Sequence, residues 1–220
     1  NVIQASFSAK VKRLVFVSSI GVLGSSTHGR SFVDTDIPAP EAAYARSKLT
    51  AENELLRLSP NNRMDWVIIR PPLIYGINCP GNLRRMLYFA FYMPILPFRS
   101  LNKLRSFLAM DNLVEALYVS TFVSEISCGV YVVADDVDTS VSEIFHSFLL
   151  GLGRGDWRLI SFPRFILWLI AFIFGKTKIW NQFSSELRVD ASRFYRATGW
   201  RPKYRPDQIL PTVSRDTDFK

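Results

Sequence analysis

The chain has little to offer metal or thiol chemistry. Its 220 residues include only two cysteines, Cys79 and Cys128, and two histidines, His28 and His146. None stands at a metal-ligand spacing, so a zinc site is not expected and no metal is assigned. Two lone thiols suit a reducing compartment, and no signal peptide opens the chain; cytoplasmic residence is the expectation. There is no internal repeat and no low-complexity segment. Nor is there an apolar run of the ~20 residues that span a bilayer. The formal charge of +8 gathers only modestly, in "NLRRM", "RGDWR" and "RPKYRP". That suits a solvated basic surface, with no nucleic-acid polymer expected as partner.

What is present is a foldable core, since hydrophobic residues make up 48% of the chain and aromatics 14%, well above disordered compositions. The opening residues, from Val2 to Phe7, read as helix without a start signal and run into "RLVFVSS", a continuous apolar stretch suited to a strand buried on both faces. "WVIIRPP" (66–72) and "GVYVVAD" (129–135) are two more such runs. Helical patterns lie at 41–58, 82–93, 111–125 and 140–151. Alternation of this kind predicts an α/β fold with a parallel sheet. Such sheets bind ligands at the carboxyl ends of their strands, which directs attention to Ser18, Ser19 and whatever follows Arg70.

The stretch "AYARSKL" opens the first long helix. Tyr44, Lys48, Ala51 and Leu55 recur at helical spacing and share a face expected to meet the sheet. An inward lysine is costly unless compensated, and an ammonium one turn from a phenol favours the phenolate. Either the two are ordinary residues of an amphipathic helix or they form a proton-transfer pair. Their position about 25 residues after a buried strand ending "SS" favours the pair, with Ser19 hydrogen-bonding the reacting oxygen. Other polar residues read more plainly: His28 as a loop residue, His146 as helix surface, Asp111 as the cap of "DNLVEAL". Tyr75 suits either core packing or the cofactor region.

In order and spacing, "VFVSSIGVLG", "YARSK", "IIRPPLIYG", "RSFLAMDNLVEAL" and "VDASRFYRATGWRPKYRPDQIL" resemble the extended short-chain dehydrogenase/reductase family, nearest to its NAD-dependent nucleotide-sugar epimerases, dehydratases and reductases. The resemblance implies a Rossmann-type parallel sheet, incomplete at its N-terminus, with a smaller substrate-binding portion. Residues 1–75 would be the C-terminal part of the dinucleotide-binding domain and 76–220 mainly the substrate-binding portion, with some segments returning to the sheet. It implies that Ser19, Tyr44 and Lys48 are catalytic and that NAD or NADP is the cofactor. Tyr44 would shuttle the proton, Lys48 would tune it and hold the nicotinamide ribose, and Ser19 would orient the substrate oxygen. Ser18, otherwise a strand-end residue, and Pro71, Pro72 and Leu73 would line the cofactor. Asn82, Leu83 and Arg105 would hold a nucleotide diphosphate, Arg105 through its fork.

The departures from the family pattern shape the expected function. No G-x-x-G-x-x-G occurs, and "GLGRG" (151–155) follows a helix. The chain therefore resembles the C-terminal two-thirds of an enzyme and by itself is expected to bind NAD(H) poorly. Ile20 and Gly21 stand where dehydratases carry an acid pair, so elimination of water is not expected. Leu73 replaces a frequent Asn. A second diphosphate arginine before "VDAS" is missing, leaving Lys176 or Lys178 to substitute. The resulting expectation is a nucleotide-sugar, most plausibly UDP-sugar, 4-epimerase or 4-keto reductase supplying surface-polysaccharide precursors, as a homodimer. Two alternatives stand beside it: a 3β-hydroxysteroid dehydrogenase-like oxidoreductase, and a non-enzymatic cofactor-sensing or scaffold member of the fold.

One segment sits apart. "FPRFILWLIAFIFGKTKIW" (162–180) holds ten unbroken apolar residues from Phe165 to Phe174, flanked by Arg164, Lys176 and Lys178. It fits a helix buried in the substrate-binding portion or at a subunit contact. It also fits a peripheral membrane contact through 165–174, lying among headgroups. The buried placement is the one expected here.

Overall fold

The three apolar runs become three adjacent parallel strands. The structure is a computed structural model and describes residues 2–59, 64–78, 81–126 and 128–217; Cys79 lies outside them. Numbered along the chain, the strands are β1 (Arg13–Val17), β2 (Asp65–Arg70), β3 (Leu73–Tyr75), β4 (Leu104–Arg105), β5 (Phe107–Ala109), β6 (Gly129–Val132) and β7 (Thr139–Ser140). The helices are α1 (Val2–Ser8), α2 (Ala43–Leu58), α3 (Asn82–Tyr92), α4 (Met110–Phe122), α5 (Val141–Gly151), α6 (Arg164–Ile173), α7 (Thr177–Ser184), α8 (Ser192–Thr198) and α9 (Pro206–Asp216). The main sheet has the order β1-β2-β6, with Val17 opposite Ile69 and Arg70 opposite Val132. β3 pairs with β5 in parallel and β4 with β7 antiparallel.

Alternation along β2 explains how the sheet is covered. Ile68 turns to one side, where it meets Leu55 of α2, Met64, and Ile3 and Phe7 of α1. Val67 and Ile69 turn to the other, against Leu113 and Ala116 of α4 and Phe194 of α8. Burying side chains of this size stabilises by about 1.5–3 kcal/mol each. β1 departs from the expected double burial: all five of its residues are only half-buried, because it forms one edge of the sheet. The four expected helices begin and end within three residues of α2, α3, α4 and α5. Asp111 is not a cap; α4 starts at Met110 after Ala109, which makes no side-chain bond. Asp111 lies in the first turn, where a carboxylate still favours the helix dipole.

A second core gathers Leu83, Met86 and Leu87 of α3, Phe145 and Phe148 of α5, and Leu210 and Val213 of α9. α5 is fixed by a capping box between Ser140 and Glu143. The glycine run "GLGRG" serves packing: a Cβ on Gly151 would stand 2.0 Å from the Pro211 carbonyl oxygen, so only glycine lets α9 cross α5 this closely.

Two buried charges tie these layers together. Arg70, at the end of β2, donates through Nε and a terminal nitrogen to the Glu52 carboxylate on α2, at 3.0 and 2.6 Å. Both are almost fully buried. Asp135, just past β6, accepts from the Tyr75 hydroxyl (2.6 Å), Asn112 Nδ2 (2.7 Å) and the Ala109 N–H (3.2 Å). Burial nevertheless pushes its carboxyl up to about 6, against lowering by those hydrogen bonds. Burial, with the Asp135 charge second, likewise raises the Tyr75 hydroxyl far above its usual range.

Glu52→Ala leaves a buried guanidinium unpaired and should cost about 3–5 kcal/mol, read as a lower urea midpoint. Glu52→Ala combined with Arg70→Leu should recover most of that loss, and a single-variant loss below about 1 kcal/mol would contradict a buried clamp. For Asp135 the folded carboxyl holds its proton to higher pH than the unfolded one. Its contribution is therefore complete below the usual 3.8 and lost as pH rises through about 6. The stability difference between wild type and Asp135→Asn should change by on the order of 2–3 kcal/mol between pH 4 and 7, with wild type gaining at the acid end. A difference independent of pH would refute this.

Candidate active site

Sterics bring α2 onto the end of β1. Ser19 is extended (φ −157°, ψ 147°) and caps the short helical turn Ile20–Val22, its Oγ accepting from the Gly21 N–H. Gly21 stands against α2: a Cβ there would lie 3.4 Å from the Ala45 Cβ. Small residues at 21 and 45 thus let the first turn of α2 approach the strand end. The Ile20 N–H donates to the Pro71 carbonyl (2.9 Å) and the Ser18 N–H to Ile69 (2.7 Å), fixing the ends of β1 and β2 side by side.

Lys48 brings Tyr44 to this strand end, which Ser19 follows. Lys48 Nζ donates to the Val17 carbonyl at 3.0 Å and stands 5.7 Å from the Tyr44 ring centroid and 5.1 Å from that of Phe16. The inward lysine is therefore compensated by the last carbonyl of β1. Tyr44 itself departs from expectation. It is 61% exposed, because the buried face of α2 runs through Ala45, Glu52 and Leu55 and Tyr44 sits beside it in the first turn. An exposed phenol above a strand end can meet a ligand, which a buried one could not. Since Ser19 Oγ accepts from Gly21, its own proton is free to donate outward.

Several groups suit a dinucleotide. Ser18 Oγ is buried and has no hydrogen-bond partner among the described residues, as a hydroxyl reserved for a ligand would be. Lys48 spends one of its three donors on Val17, leaving two for ribose hydroxyls. Pro71 and Pro72 are buried while Leu73 is exposed, so Leu73 is the one of the three that offers a free side-chain surface.

Among the described residues no hydrogen bond or ion pair joins the expected diphosphate residues to that group. Arg105, in β4, donates to the carbonyl (2.7 Å) and Oγ (3.1 Å) of Ser185. Burial lowers its guanidinium to about 10, so it remains cationic at neutral pH, and it has no carboxylate partner among the described residues. Leu83 has its side chain in the second core, so its backbone N–H, in the first turn of α3, is what it has to offer a ligand. Asn82 beside it is half-buried. Lys176 is exposed in the α6–α7 turn; the Lys178 side chain lies outside the described set.

Sequence reasoning missed the groups that hold this arrangement. Glu52 lies one turn beyond Lys48, and its ion pair with Arg70 sets the height of α2 on the sheet. Asp34 accepts from the Val132 N–H (2.5 Å), lies 3.4 Å from Arg193, and offers its carbonyl to Arg70 (3.5 Å), which pins the loop between β1 and α2. Burial raises its carboxyl, against lowering by Val132, Arg193 and Arg70. The available signal was an arginine inside an otherwise apolar strand, which demands an acid nearby.

Comparison with known proteins follows the same lines. Residues 1–133 match the model of the NAD dependent epimerase/dehydratase family. Over 205 residues the chain is 32% identical to a UDP-glucose 4-epimerase of Vibrio cholerae, covering 92% of this chain and 62% of that protein. The chain thus spans less than two thirds of that relative's length. The fold resembles UDP-glucose 4-epimerase from Thermotoga maritima, solved with UDP-glucose (TM-score 0.76, 18% identity, 97% of this chain and 66% of that one). It also resembles dTDP-glucose 4,6-dehydratase from Bacillus anthracis, in complex with NAD (TM-score 0.75, 17% identity, 97% and 64%). With more than half of its length matched by the family model, and with Ser19, Tyr44 and Lys48 inside the matched part, the chain belongs to the NAD dependent epimerase/dehydratase family.

Proposed function

We propose that this chain carries the acid–base machinery of a nucleotide-sugar 4-epimerase or 4-keto reductase, with NAD or NADP as cofactor and a UDP-sugar as substrate. The observation that supports it is the placing of Lys48 and the exposed Tyr44 beside the end of β1, the strand that runs into Ser19. When bound, the nicotinamide supplies the hydride acceptor and donor. Tyr44 takes the proton of the sugar 4-hydroxyl and returns it to the same oxygen on the way back. Ser19 donates a hydrogen bond to that oxygen as its charge changes. Lys48, held by Val17, keeps a positive charge close to the phenol throughout. Residues 1–75 would then supply the cofactor side of the site and segments after 76 the nucleotide side.

Ile20 and Gly21 follow Ser19 directly, and neither can protonate a leaving hydroxyl. This supports hydride chemistry at C4 without elimination. Epimerisation also requires the keto sugar to turn over in the site before the proton returns, whereas reduction requires only exchange of cofactor.

Tyr44→Phe keeps the ring and removes the titrating hydroxyl. In the intact protein, steady-state turnover of a UDP-sugar should fall by about 10²-fold or more with little change in substrate binding. A fall of less than threefold would remove Tyr44 from the role. Arg105 tests the substrate class. If it holds a diphosphate, Arg105→Ala should raise KM by about one to two orders of magnitude, the worth of a charge-assisted hydrogen bond. Arg105→Lys should recover only part, because an ammonium cannot fork. An unchanged KM would point instead to a substrate without a diphosphate, as in the steroid-type reading.

A further inference from the structure

α6 is not core. The chain folds back at Gly175 (φ 63°), so α6 rides on α7, and α7 sends Trp180 and Phe183 into the second core. Of α6 itself only Leu167 is buried. Of its other large apolar side chains Ile166 is half-buried and the rest are open, from 45% exposed at Trp168 to 71% at the following Phe174. At 100° per residue the open positions sweep an arc of about 240°, with no polar residue within it. Ten residues rise only about 15 Å, half the thickness of a bilayer's hydrocarbon layer, and no helix among the described residues is long and apolar enough to cross a membrane.

The charges of the chain are distributed around this feature. Residues 66–110 and 157–185 hold ten of the 27 Lys and Arg and none of the 19 Asp and Glu. Everything else carries 17 cations against 19 acids, so the whole positive excess belongs to these two stretches. The fold brings them together. Leu96 and Leu159 form a parallel bridge, Arg158 donates to the Met93 and Pro94 carbonyls, and Ser100 donates to Phe162. The joined segments expose Met93, Ile95 and Trp157 and lead into α6 through the Ser100–Phe162 hydrogen bond. Arg84, Arg85, Lys103 and Lys176 supply exposed cations.

We propose that α6, with the joined segments around residues 93–95 and 157–160, is a docking surface for an anionic lipid bilayer. The helix lies in the plane of the headgroups, with Phe165, Trp168, Leu169 and Phe172 inserted and the surrounding cations facing lipid phosphates. A second copy of the chain is disfavoured as occupant, because it would bring two surfaces of net positive charge face to face, with Asp156, which pairs with Arg99, the acid at their margin. The surface is independent of the proposed chemistry, since none of the inserted residues belongs to the site.

Flotation on a density gradient tests this with two vesicle compositions, phosphatidylcholine alone and phosphatidylcholine with about a third phosphatidylglycerol. The 220-residue protein should float with the anionic vesicles, at least about tenfold more than with the neutral ones, and salt should weaken this only in part. Phe165→Ser/Leu169→Ser/Phe172→Ser should abolish flotation with an unchanged thermal midpoint. Lys176→Glu, at an exposed turn, should weaken flotation without touching the fold. Brominated lipids should quench tryptophan fluorescence in wild type and much less in Trp157→Phe/Trp168→Phe. Failure of wild type to float overturns the proposal; so does flotation unaffected by either set of changes, or quenching that survives Trp157→Phe/Trp168→Phe. A dimer in solution that the triple variant dissolves, with no flotation, would assign the surface to a second copy. A monomer that does not float would leave it to an acidic protein.

Discussion

A single buried ion pair sets the rest of the site. Arg70 ends an otherwise apolar strand, and taking its charge out of water is affordable only because Glu52 meets it with two hydrogen bonds. Such a pair contributes less to net stability than its geometry suggests, since desolvation offsets most of the attraction. What it provides is register. With Glu52 locked, Lys48 falls one turn and Tyr44 two turns toward the end of β1, where the Val17 carbonyl awaits the ammonium. A helix held by apolar contacts alone could slide or roll by a fraction of a turn with little penalty. This one cannot.

Most of the fold was legible because most of it is periodic. β2 and the helices α2 to α5 announce themselves by apolar repeats of the right length, and the parallel pairing follows from their alternation. The failures have physical causes. β1 has the composition of a doubly covered strand but stands at an edge, a property of its neighbours and not of its own residues. α6 has the composition of a core helix, and no pattern within it shows that α7, not α6, takes the place against the core. Asp111 has the chemistry of a cap but lies one residue inside the helix, where Met110 has already begun it.

The site divided along the same line. Ser19, Tyr44 and Lys48 were singled out by a strand end and a helical spacing, and Lys48 and Tyr44 do stand beside that strand end. Tyr44 was read as facing inward, since periodicity gives a face but not the depth of a first turn. Leu83 was read as a ligand contact without saying through which atoms; its side chain belongs to the core, which leaves its backbone N–H for that role. Glu52 and Asp34 were overlooked because each finds its partner across the chain, at Arg70 and Val132, and long-range pairing leaves no local mark. The positive excess of residues 66–110 and 157–185 was hidden for the same reason: it becomes one surface only when the two stretches are joined.

The Asp135 carboxylate has a mechanical meaning. It gathers donors from β3, from β5 and from the first turn of α4, and Asn112 carries the link on to the Lys203 and Tyr204 backbone. Tyr75 and Ala109 belong to the second core, while Leu108 and Leu113 beside them belong to the sheet. The joint between the two cores is thus cross-linked through one carboxylate, and any movement of one core against the other would have to break those hydrogen bonds.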